Sequence, residues 1–250
     1  MNTTWQRADV ALNFLDERRR NLPYGEDQLQ LLLRVVKHFR PAHPASFLGT
    51  PPETGGEGVK RVVDLGCGDG VVARTLLTGF PDASAVLVDH SLPMLSRADQ
   101  AMMGFGSGSE IVHGDLSGSI LDIPGVRGAD VIASAYAIHH LPNERKRSLY
   151  AEIFEALAPG GVFVNVEHVA PASARTENLW DNLCIENLVR DTGRPYADVA
   201  AEYHNRPDKA DNILETVDVQ TSWLREIGFV DVDCYFKFLE LAVFGGVKPA

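Results

Sequence analysis

Short runs rich in Val, Ile and Ala alternate with segments of helical periodicity between residues 59 and 167. The predicted strands span 59–66, 83–90, 110–115, 129–136 and 161–169. Helices are predicted over about 70–79, 93–103 and 143–160, the last with Asn143 as its N-cap and Gly160 as its stop. Strands that are apolar on both faces are typical of a parallel sheet buried between helices. The pattern therefore predicts an α/β protein with a Rossmann-like, doubly wound sheet.

The two ends of the chain differ from this alternating part. Residues 1–58 are predicted to form a helical cap, with two amphipathic helices broken at "NLPYGED" and a Pro- and Gly-rich linker over 41–58. The main domain would then span 59–250, with a helical lid insertion at about 171–213 after the fifth strand. A helix in "VDVQTSWLREIG" and two strands joined by a short turn close the chain, which predicts an antiparallel hairpin at the sheet edge.

Charge and cysteine content narrow the function classes. The formal net charge is −11 at pH 7, which disfavours nucleic acid as a partner because phosphate contacts need a positive surface. Cys67, Cys184 and Cys234 are far apart and match no metal-binding spacing, which indicates a reducing cytoplasm and no metal site. No apolar run is long enough for a membrane span, and the N-terminus has no signal-peptide core. The sequence therefore favours a cytoplasmic protein that acts on small molecules, and it leaves a homodimer open.

The stretch "VVDLGCGDG" at 62–70 places Gly66, Gly68 and Gly70 at alternate positions after the first strand. Ligands of open α/β sheets bind at the carboxyl ends of the strands, where a Gly-rich turn entering a helix can offer backbone N–H groups. A P-loop would need Lys followed by Ser or Thr, and neither occurs here. The spacing also differs from the GxGxxG of dinucleotide sites, and Asp69 would repel a pyrophosphate. The loop therefore favours a ligand with a neutral or cationic centre.

Two further acids end the second and third predicted strands. Asp89 lies about twenty residues beyond the glycines, where an acid can accept hydrogen bonds from ribose hydroxyls. Asp115, in "VHGDL", is placed to accept from an adenine amino group. Each acid alone could equally cap the following helix. Acids at three successive strand ends beside a glycine loop favour ligand binding.

The ordered series "VVDLGCGDG", "LVDHS", "HGDL", "DVIASAYAIHHL" and "ALAPGG" resembles the motifs of class I S-adenosylmethionine-dependent methyltransferases over about 60–165. The C-terminal "WLREIGFVDVDCYFKFLELAVFGG" is similar to the last helix and hairpin of that family, which implies a seven-stranded sheet. The resemblance implies S-adenosylmethionine as the cofactor. The contacts that it implies are the backbone of Gly66, Cys67 and Gly68 at the methionine moiety, Asp89 and His90 at the ribose, Asp115 and the Leu116 amide at the adenine, and Asp64 and Ala135 in the same site.

The layout is also similar to carboxy-S-adenosylmethionine synthases and their relatives. Those proteins have a helical N-terminus, a Pro-Tyr turn before the glycine loop and a long insertion after strand five, and the likeness puts Tyr24 at the cofactor. Two positions depart from the synthase pattern. Ala135 stands where the synthases have an asparagine, and Arg206 matches only loosely the arginine that recognises the extra carboxylate. We therefore expect an ordinary methyl donor rather than the carboxylated one.

The methyl acceptor is expected beyond strands four and five. "YAIHHL" places Tyr136, His139 and His140 after the fourth strand, and Glu167 and His168 end the fifth. Because a base of near-neutral pKa assists transfer to a hydroxyl or an acidic N–H, the catalytic candidates are His139, His168 and Tyr136. The candidates for acceptor binding are His140, Glu167, Trp180 and Arg206, with Asn178, Tyr203 and His204 also in the lid. Structural roles are the alternatives for His140 and for Trp180, whose segment has spacing suited to helix packing.

These features together predict a methyltransferase that uses S-adenosylmethionine and acts on a small, planar or aromatic metabolite by a single displacement. Much of the rate of such a reaction can come from positioning and from exclusion of water. Within this fold, the alternative is a carboxylated-cofactor synthase or a tRNA-modification relative. The alternatives from other classes are a nicotinamide-dependent oxidoreductase and a catalytically silent partner that uses the pocket for regulation.

Overall fold

A seven-stranded sheet forms the centre of the computed structural model, which describes residues 4–13, 22–41, 58–105 and 108–250. The strands are β1 (Arg61–Leu65), β2 (Ser84–Asp89), β3 (Ser109–His113), β4 (Ala129–Ala135), β5 (Leu157–His168), β6 (Val230–Phe238) and β7 (Leu241–Val247). Their order is β3-β2-β1-β4-β5-β7-β6, with β1 to β5 parallel and β7 antiparallel to both β5 and β6. The predicted Rossmann-like sheet with a C-terminal antiparallel hairpin is confirmed.

Helices follow most of the strands. They are α1 (Ala8–Asn13), α2 (Gly25–Phe39), α3 (Val71–Gly79), α4 (Leu92–Met102), α5 (Asn143–Ala156), α6 (Ala174–Thr192), α7 (Tyr196–Asn205), α8 (Pro207–Ala210) and α9 (Val217–Ile227). Side-chain caps fix where three of them begin: Ser91 caps α4, Ser173 and Thr176 form a reciprocal capping box on α6, and Thr216 caps α9. None of the helices in the described part of the chain is long and apolar enough to cross a membrane.

Helices bury both faces of the sheet. On one face, Leu32 of α2 packs in one cluster with Val164 of β5. On the other face, Leu149 of α5 packs with Phe163 and Phe244 of β5 and β7. All five side chains have no exposed surface, and each such burial stabilises the fold by about 1.5–3 kcal/mol. The sheet is therefore a rigid frame for the residues at the carboxyl ends of its strands.

A buried ion pair joins α2 to the base of the sheet. Arg40, just after α2, pairs with Asp130 at the start of β4 and donates to Gly58 O at 2.8 Å. The other carboxylate oxygen of Asp130 accepts from the amides of Lys60 and Arg61, at 2.7 and 3.0 Å. Removing one partner of such a pair leaves an uncompensated buried charge, at a cost of about 3–5 kcal/mol. The predicted linker over 41–58 falls almost wholly on residues 42–57, outside the described ranges.

The helix predicted over 143–160 is shorter than expected. α5 ends well before Gly160, and "LAPGG" instead begins β5. Gly160 has φ of +71°, and its amide donates to Lys248 O at 3.0 Å, beyond the end of β7. Asn143 does not cap α5, because its side-chain amide donates to Glu215 Oε2 at 2.9 Å. Both boundary predictions are wrong, since partners distant in sequence outweigh the local helix signals.

The segment of residues 4–13, which we call the N-terminal strap, contacts the residues that follow β2. Ser91 Oγ donates to Trp5 O at 2.5 Å, and Gln6 Nε2 donates to His90 O at 2.7 Å. The strap therefore lies beside the carboxyl end of β2.

The predicted insertion after strand five forms α6, α7 and α8, which we call the lid. Ile185, Val199 and Tyr203 make a small apolar cluster of its own within it. The chain returns from the lid beside the end of β4, where the Ile213 N–H donates to His139 O at 2.9 Å. The lid is thereby fixed at the carboxyl edge of the sheet.

Candidate active site

The three loop glycines have left-handed backbones, with φ of +69° at Gly66, +54° at Gly68 and +79° at Gly70. Residues with a side chain rarely adopt this conformation. A Cβ on Gly66 would lie 2.2 Å from Ala137 Cβ, so this glycine permits close contact between two loops. A Cβ on Gly68 would meet, among the described residues, only Met94 Sδ at 3.9 Å. Gly68 is therefore the glycine that faces open space.

The end of β2 holds the loop amides. The N–H groups of Gly66 and Cys67 donate to Val88 O at 2.8 and 3.0 Å, and the Gly68 N–H donates to Asp89 Oδ2 at 2.9 Å. The expectation that these amides await a ligand is therefore wrong, because the neighbouring strand already accepts from them. The Cys67 side chain is buried in the core and does not border the cavity above the loop.

The side chains of Asp64 and Tyr24 also do not reach the space above the glycine loop. Asp64 is fully buried beneath the loop, where its Oδ2 accepts from the Ala73 N–H at 3.0 Å, and burial raises its pKa to about 7. Tyr24 precedes α2, and its half-exposed ring packs on Phe236 and Phe238, with centroids 5.9 and 4.9 Å apart. The structure does not bring the Tyr24 side chain to the cavity, because the aromatic residues of β6 are its partners.

A cavity of about 400 Å³, the glycine-loop cavity, opens at the carboxyl ends of the central strands. Its lining contains seven of the predicted cofactor residues: Gly66, Gly68, Asp89, His90, Asp115, Leu116 and Ala135. Trp5 of the N-terminal strap, Met94 of α4 and Ile213 after the lid also line it. The structure thus brings together residues from four strand ends around one space.

Asp89 is the most enclosed acid of this cavity. Its Oδ1 accepts from the Ser91 N–H at 2.8 Å, and its Oδ2 accepts from Gly68. Burial raises the pKa of Asp89, while the Ser91 and Gly68 amides oppose that rise. The N-cap of α4 is Ser91, so the helix-capping alternative is wrong for Asp89. Partial burial would raise the pKa of Asp115, but hydrogen bonds from Ser117, one at 2.8 Å, lower it overall.

A second cavity of about 110 Å³, the histidine chamber, adjoins the first. Its lining includes Tyr136, His139, His140, His168, Trp180 and Arg206. Trp5, Tyr136 and His140 line both cavities and form their shared wall. A molecule in the histidine chamber would therefore lie beside one in the glycine-loop cavity.

His139 and Glu167 form a buried pair at the histidine chamber, with His139 Nδ1 2.6 Å from Glu167 Oε1. Their surfaces are 6% and 0% exposed. Glu167 also accepts from the His168 N–H at 2.9 Å and from Asn165 Nδ2 at 3.1 Å. Burial raises the pKa of Glu167 to about 7, against these hydrogen bonds and the charge of Lys146. Glu167 does not line the chamber itself, and it contacts His139, which does.

His140 and Tyr136 are held by other partners. Trp5 Nε1–H donates to His140 Nε2 at 3.1 Å, and His140 Nδ1 lies 3.3 Å from Asp211 O. With Nε2 accepting from Trp5, Nδ1 is the nitrogen placed to donate to Asp211 O. The Tyr136 hydroxyl donates to Gln28 Oε1 at 2.8 Å, and burial raises its pKa above the ordinary value. Tyr136 is therefore unsuited to act as a base at neutral pH, and it serves as part of the shared wall.

The remaining lid-side candidates meet at the far end of the histidine chamber. His168 Nε2 lies 2.7 Å from Glu240 Oε2, and the buried Trp180 ring lies 6.2 Å from the His168 ring. The Arg206 guanidinium lies 3.8 Å from the centroid of the Tyr203 ring. These residues also line a third cavity of about 130 Å³, the polar chamber, whose lining adds Glu177, Asp181 and Lys209.

Two lid residues lie outside these three cavities. Asn178 is exposed and accepts from Asn182 Nδ2 at 3.0 Å, and His204 is exposed with its Nδ1 3.7 Å from Asp181 Oδ2. Both belong to the lid as predicted, but neither side chain lines a cavity, because both are exposed on their helices.

Sequence reasoning missed Trp5, Gln28 and Glu240. Each makes a hydrogen bond to a distant residue: Trp5 to a histidine 135 positions away, Gln28 to a tyrosine 108 positions away and Glu240 to a histidine 72 positions away. The one available signal was compositional: a tryptophan in the polar stretch "NTTWQ" and an acid in the apolar stretch "FLELAVF".

Known proteins match this chain in sequence and in fold. Residues 62–161 match the family described as a methyltransferase domain. The chain is 30% identical over 254 aligned positions to the carboxy-S-adenosyl-L-methionine synthase of Chromohalobacter salexigens, covering 96% of this chain and 82% of that protein. The synthase of Wolinella succinogenes is 27% identical, covering 94% of this chain and 89% of that protein. Human N-acetylserotonin methyltransferase, solved in complex with SAM, has a TM-score of 0.59 and 14% identity, covering 98% of this chain and 58% of that one.

The glycine-loop cavity fits S-adenosylmethionine. The Asp89 carboxylate can accept from ribose hydroxyls, the exposed edge of Asp115 can accept from an adenine amine, and Gly68 leaves room for the methionine half. The similarity to methyltransferases and to carboxy-S-adenosyl-L-methionine synthases excludes the nicotinamide-dependent alternative. The chain belongs to the class I S-adenosylmethionine-dependent methyltransferases.

Proposed function

We propose that this enzyme transfers the methyl group of S-adenosylmethionine to a hydroxyl group of a small, planar or aromatic metabolite. The observation that carries the proposal is the buried pair of His139 and Glu167, whose Nδ1 and Oε1 atoms are 2.6 Å apart. A hydroxyl oxygen attacks a sulfonium methyl better as its proton leaves, so a positioned base accelerates the transfer.

The pair determines which nitrogen of His139 acts as the base. Because Nδ1 faces the Glu167 carboxylate, the proton is assigned to Nδ1, and Nε2 carries the basic lone pair. Glu167 orients the ring and stabilises the imidazolium that forms once Nε2 has taken the acceptor proton. His139 lines the histidine chamber, which is therefore the place for the acceptor hydroxyl.

The walls of the histidine chamber suit a flat, largely apolar acceptor. Trp180, Tyr203 and Leu241 are buried and line it, with Leu188 beside them. Excluding water from such a space strengthens the electrostatic effect of the His139 pair. A chamber of about 110 Å³ favours a small molecule, and the net charge of −11 opposes a nucleic-acid acceptor.

A second candidate follows from the similarity to carboxy-S-adenosyl-L-methionine synthases, in which the cofactor itself would be carboxylated. Arg206 supports it, because a guanidinium at the histidine chamber could pair with a carboxylate. Ala135 opposes it, because a methyl side chain offers no hydrogen bond in the glycine-loop cavity. Mass spectrometry of the cofactor recovered after turnover separates the two: a carboxylated derivative would overturn the methyl-acceptor proposal.

Turnover with a panel of simple phenols and catechols tests the proposal, with S-adenosylhomocysteine release and the mass of the product as readouts. We expect His139→Gln and Glu167→Gln each to lower kcat by at least about 100-fold, the effect of losing a general base. Affinity for S-adenosylhomocysteine should stay unchanged in both variants. His38→Gln, exposed on α2, is the matched control and should keep full activity.

The pH dependence gives an independent check. The pair must have lost its extra proton for Nε2 to accept one, so kcat should rise with pH and level off above the range near 7 where Glu167 ionises. A pH-independent rate, with His139→Gln fully active, would refute the base. Failure to methylate any hydroxyl in the panel would count against the acceptor class.

A further inference from the structure

Glu240 occupies the short turn between β6 and β7, at the far end of the site from the glycine loop. Only 3% of its surface is exposed, yet it lines the polar chamber. Its backbone O accepts from the Val169 N–H at 2.8 Å, which ties the turn to the end of β5. The preceding residue, Leu239, has φ of +51°, a left-handed conformation that is unfavourable for a leucine. Strained turns of this kind cluster at ligand sites.

The two carboxylate oxygens of Glu240 have different surroundings. Oε2 lies 2.7 Å from His168 Nε2. Oε1 is buried and has no hydrogen-bond partner among the residues that the structure describes. A carboxylate oxygen withdrawn from water without a donor is costly, and native proteins leave few such atoms without a reason. A ligand donor that binds the carboxylate would offset this cost.

The charges around the polar chamber favour a basic ligand group. Three carboxylates line it, on Glu177, Asp181 and Glu240, with two cationic side chains, on Arg206 and Lys209. Lys209 Nζ lies 2.6 Å from Asp181 Oδ2, so these two groups neutralise each other. Arg206 stacks on an aromatic ring of the lid. Asp181 is already paired with Lys209, and Glu240 is only 3% exposed. Glu240 is therefore the buried carboxylate of this lining that is best placed to bind a ligand cation.

The polar chamber continues from the histidine chamber. His168, Trp180 and Tyr203 line both of them. The rings of His139 and His168 are 5.6 Å apart, and His168 in turn contacts Glu240. One small molecule can therefore span from His139 to Glu240 along a wall of aromatic side chains.

We propose that the acceptor carries an amine at the end opposite its methylated hydroxyl, and that the Glu240 carboxylate binds this amine. His168 holds the carboxylate in position through Oε2. The proposal rests on the proposed function, which puts the hydroxyl at His139. It makes Glu240 a specificity residue that selects among phenols by what they bear at the far end of the ring.

Calorimetric titration of the enzyme saturated with S-adenosylhomocysteine tests this assignment without requiring turnover. Three phenols serve as probes: 4-(2-aminoethyl)phenol, the neutral 4-propylphenol and the anionic 3-(4-hydroxyphenyl)propanoate. We expect the amine to bind about 10-fold or more tighter than the neutral phenol, as a charge-assisted hydrogen bond in a buried site does. Glu240→Gln keeps the size of the side chain and should abolish most of this preference. Glu186→Gln, exposed on the lid, is the matched control and should preserve it.

Each outcome decides the point. Equal binding of the amine and the neutral phenol to the wild-type enzyme overturns the proposal, as does undetectable binding of the amine. Tightest binding of the anionic phenol also overturns it and points to Arg206 instead. An amine preference that Glu240→Gln removes supports it even if no probe is methylated, which would count against the proposed function alone. Methylation of neutral phenols without any amine preference leaves the proposed function standing and refutes the role of Glu240.

Discussion

Replacing Gly68 by alanine tests whether the cofactor lies against the glycine loop. An alanine Cβ at this position would meet, within the described part of the chain, only Met94 Sδ, and at 3.9 Å this is ordinary contact. The substitution therefore displaces no protein atom. It instead adds a methyl group at a residue that lines the glycine-loop cavity. The perturbation is confined to the space that we assign to the methionine half of the cofactor.

Two separate free-energy costs follow from the geometry. The φ of +54° at Gly68 is unfavourable for alanine, which should lower the free energy of unfolding by about 1–2 kcal/mol. Overpacking of a closely fitted space by one methyl group costs about 1–3 kcal/mol, so cofactor affinity should fall roughly 5- to 150-fold. Backbone strain affects the folded protein whether or not ligand is bound, so the loss of affinity reports the methyl group itself.

Gly128→Ala is the matched control for the strain. Gly128 has φ of +75°, and a Cβ there would meet no heavy atom of the described residues within 4 Å. It precedes β4, at the end of the strand opposite to the site. We expect Gly128→Ala to lose a similar amount of stability in urea denaturation and to bind S-adenosylhomocysteine as the wild type does.

Isothermal titration with S-adenosylhomocysteine and urea denaturation measure the two effects on the same preparations. If Gly68→Ala bound the cofactor product with wild-type affinity, the cofactor would not lie against this loop, and the assignment of the cavity would be refuted. If both variants lost affinity equally, the loss would come from backbone strain in general and not from a methyl group that points into the cavity.

Two more predictions concern residues at the edge of the site. Asp64→Asn removes a buried carboxyl group whose pKa, about 7 in the folded protein, lies above the ordinary value of 3.8. The folded protein therefore keeps a proton that the unfolded chain has released, and wild-type stability falls as the pH rises from about 4 to about 7. The stability of Asp64→Asn relative to the wild type should increase by about 2.5 kcal/mol between about pH 5 and pH 8, and an unchanged difference between the urea midpoints of the two proteins would contradict this. Trp5 lines the glycine-loop cavity and donates to His140, whereas Trp223 packs against the core. S-adenosylhomocysteine should therefore quench the fluorescence of the wild type and of Trp223→Phe but have little effect on Trp5→Phe, and an undiminished quench in Trp5→Phe would remove Trp5 from the cavity wall.

Local sequence patterns predicted most of the fold and most of the residues that line the glycine-loop cavity. The strand and helix periodicities fixed the layers of the sheet, and the residues directly after β1, β2 and β3 had to meet because parallel strands end at one edge. Gly68, Asp89 and Asp115 were therefore predictable from their positions at strand ends. The same reasoning failed for Cys67 and Asp64, since alternation along the chain also turns side chains at these ends into the core.

The arrangement of the histidine chamber depends on contacts that no local sequence pattern encodes. His139 and His140 are adjacent in sequence, yet a buried glutamate holds one and a tryptophan of the N-terminal strap holds the other. Their chemistry differs because their partners differ, and those partners lie 28 and 135 positions away. Glu240 could not be predicted either, because its position depends on where the turn between the last two strands falls relative to β5.

The position of β7 between β5 and β6 has a consequence for synthesis on the ribosome. β7 follows β6 in the chain but inserts beside β5, and its Val243 packs in the same cluster as Leu32 and Val36 of α2. During synthesis, α2 therefore leaves the ribosome long before β7, the strand that packs against its apolar face. Until β7 is made, the nascent chain exposes both an apolar helix face and an unpaired edge of β5, which are the surfaces that chaperones bind and that aggregate when crowded. Mutations that slow the closing of this hairpin should therefore reduce the yield of native enzyme even where the finished fold is as stable as the wild type.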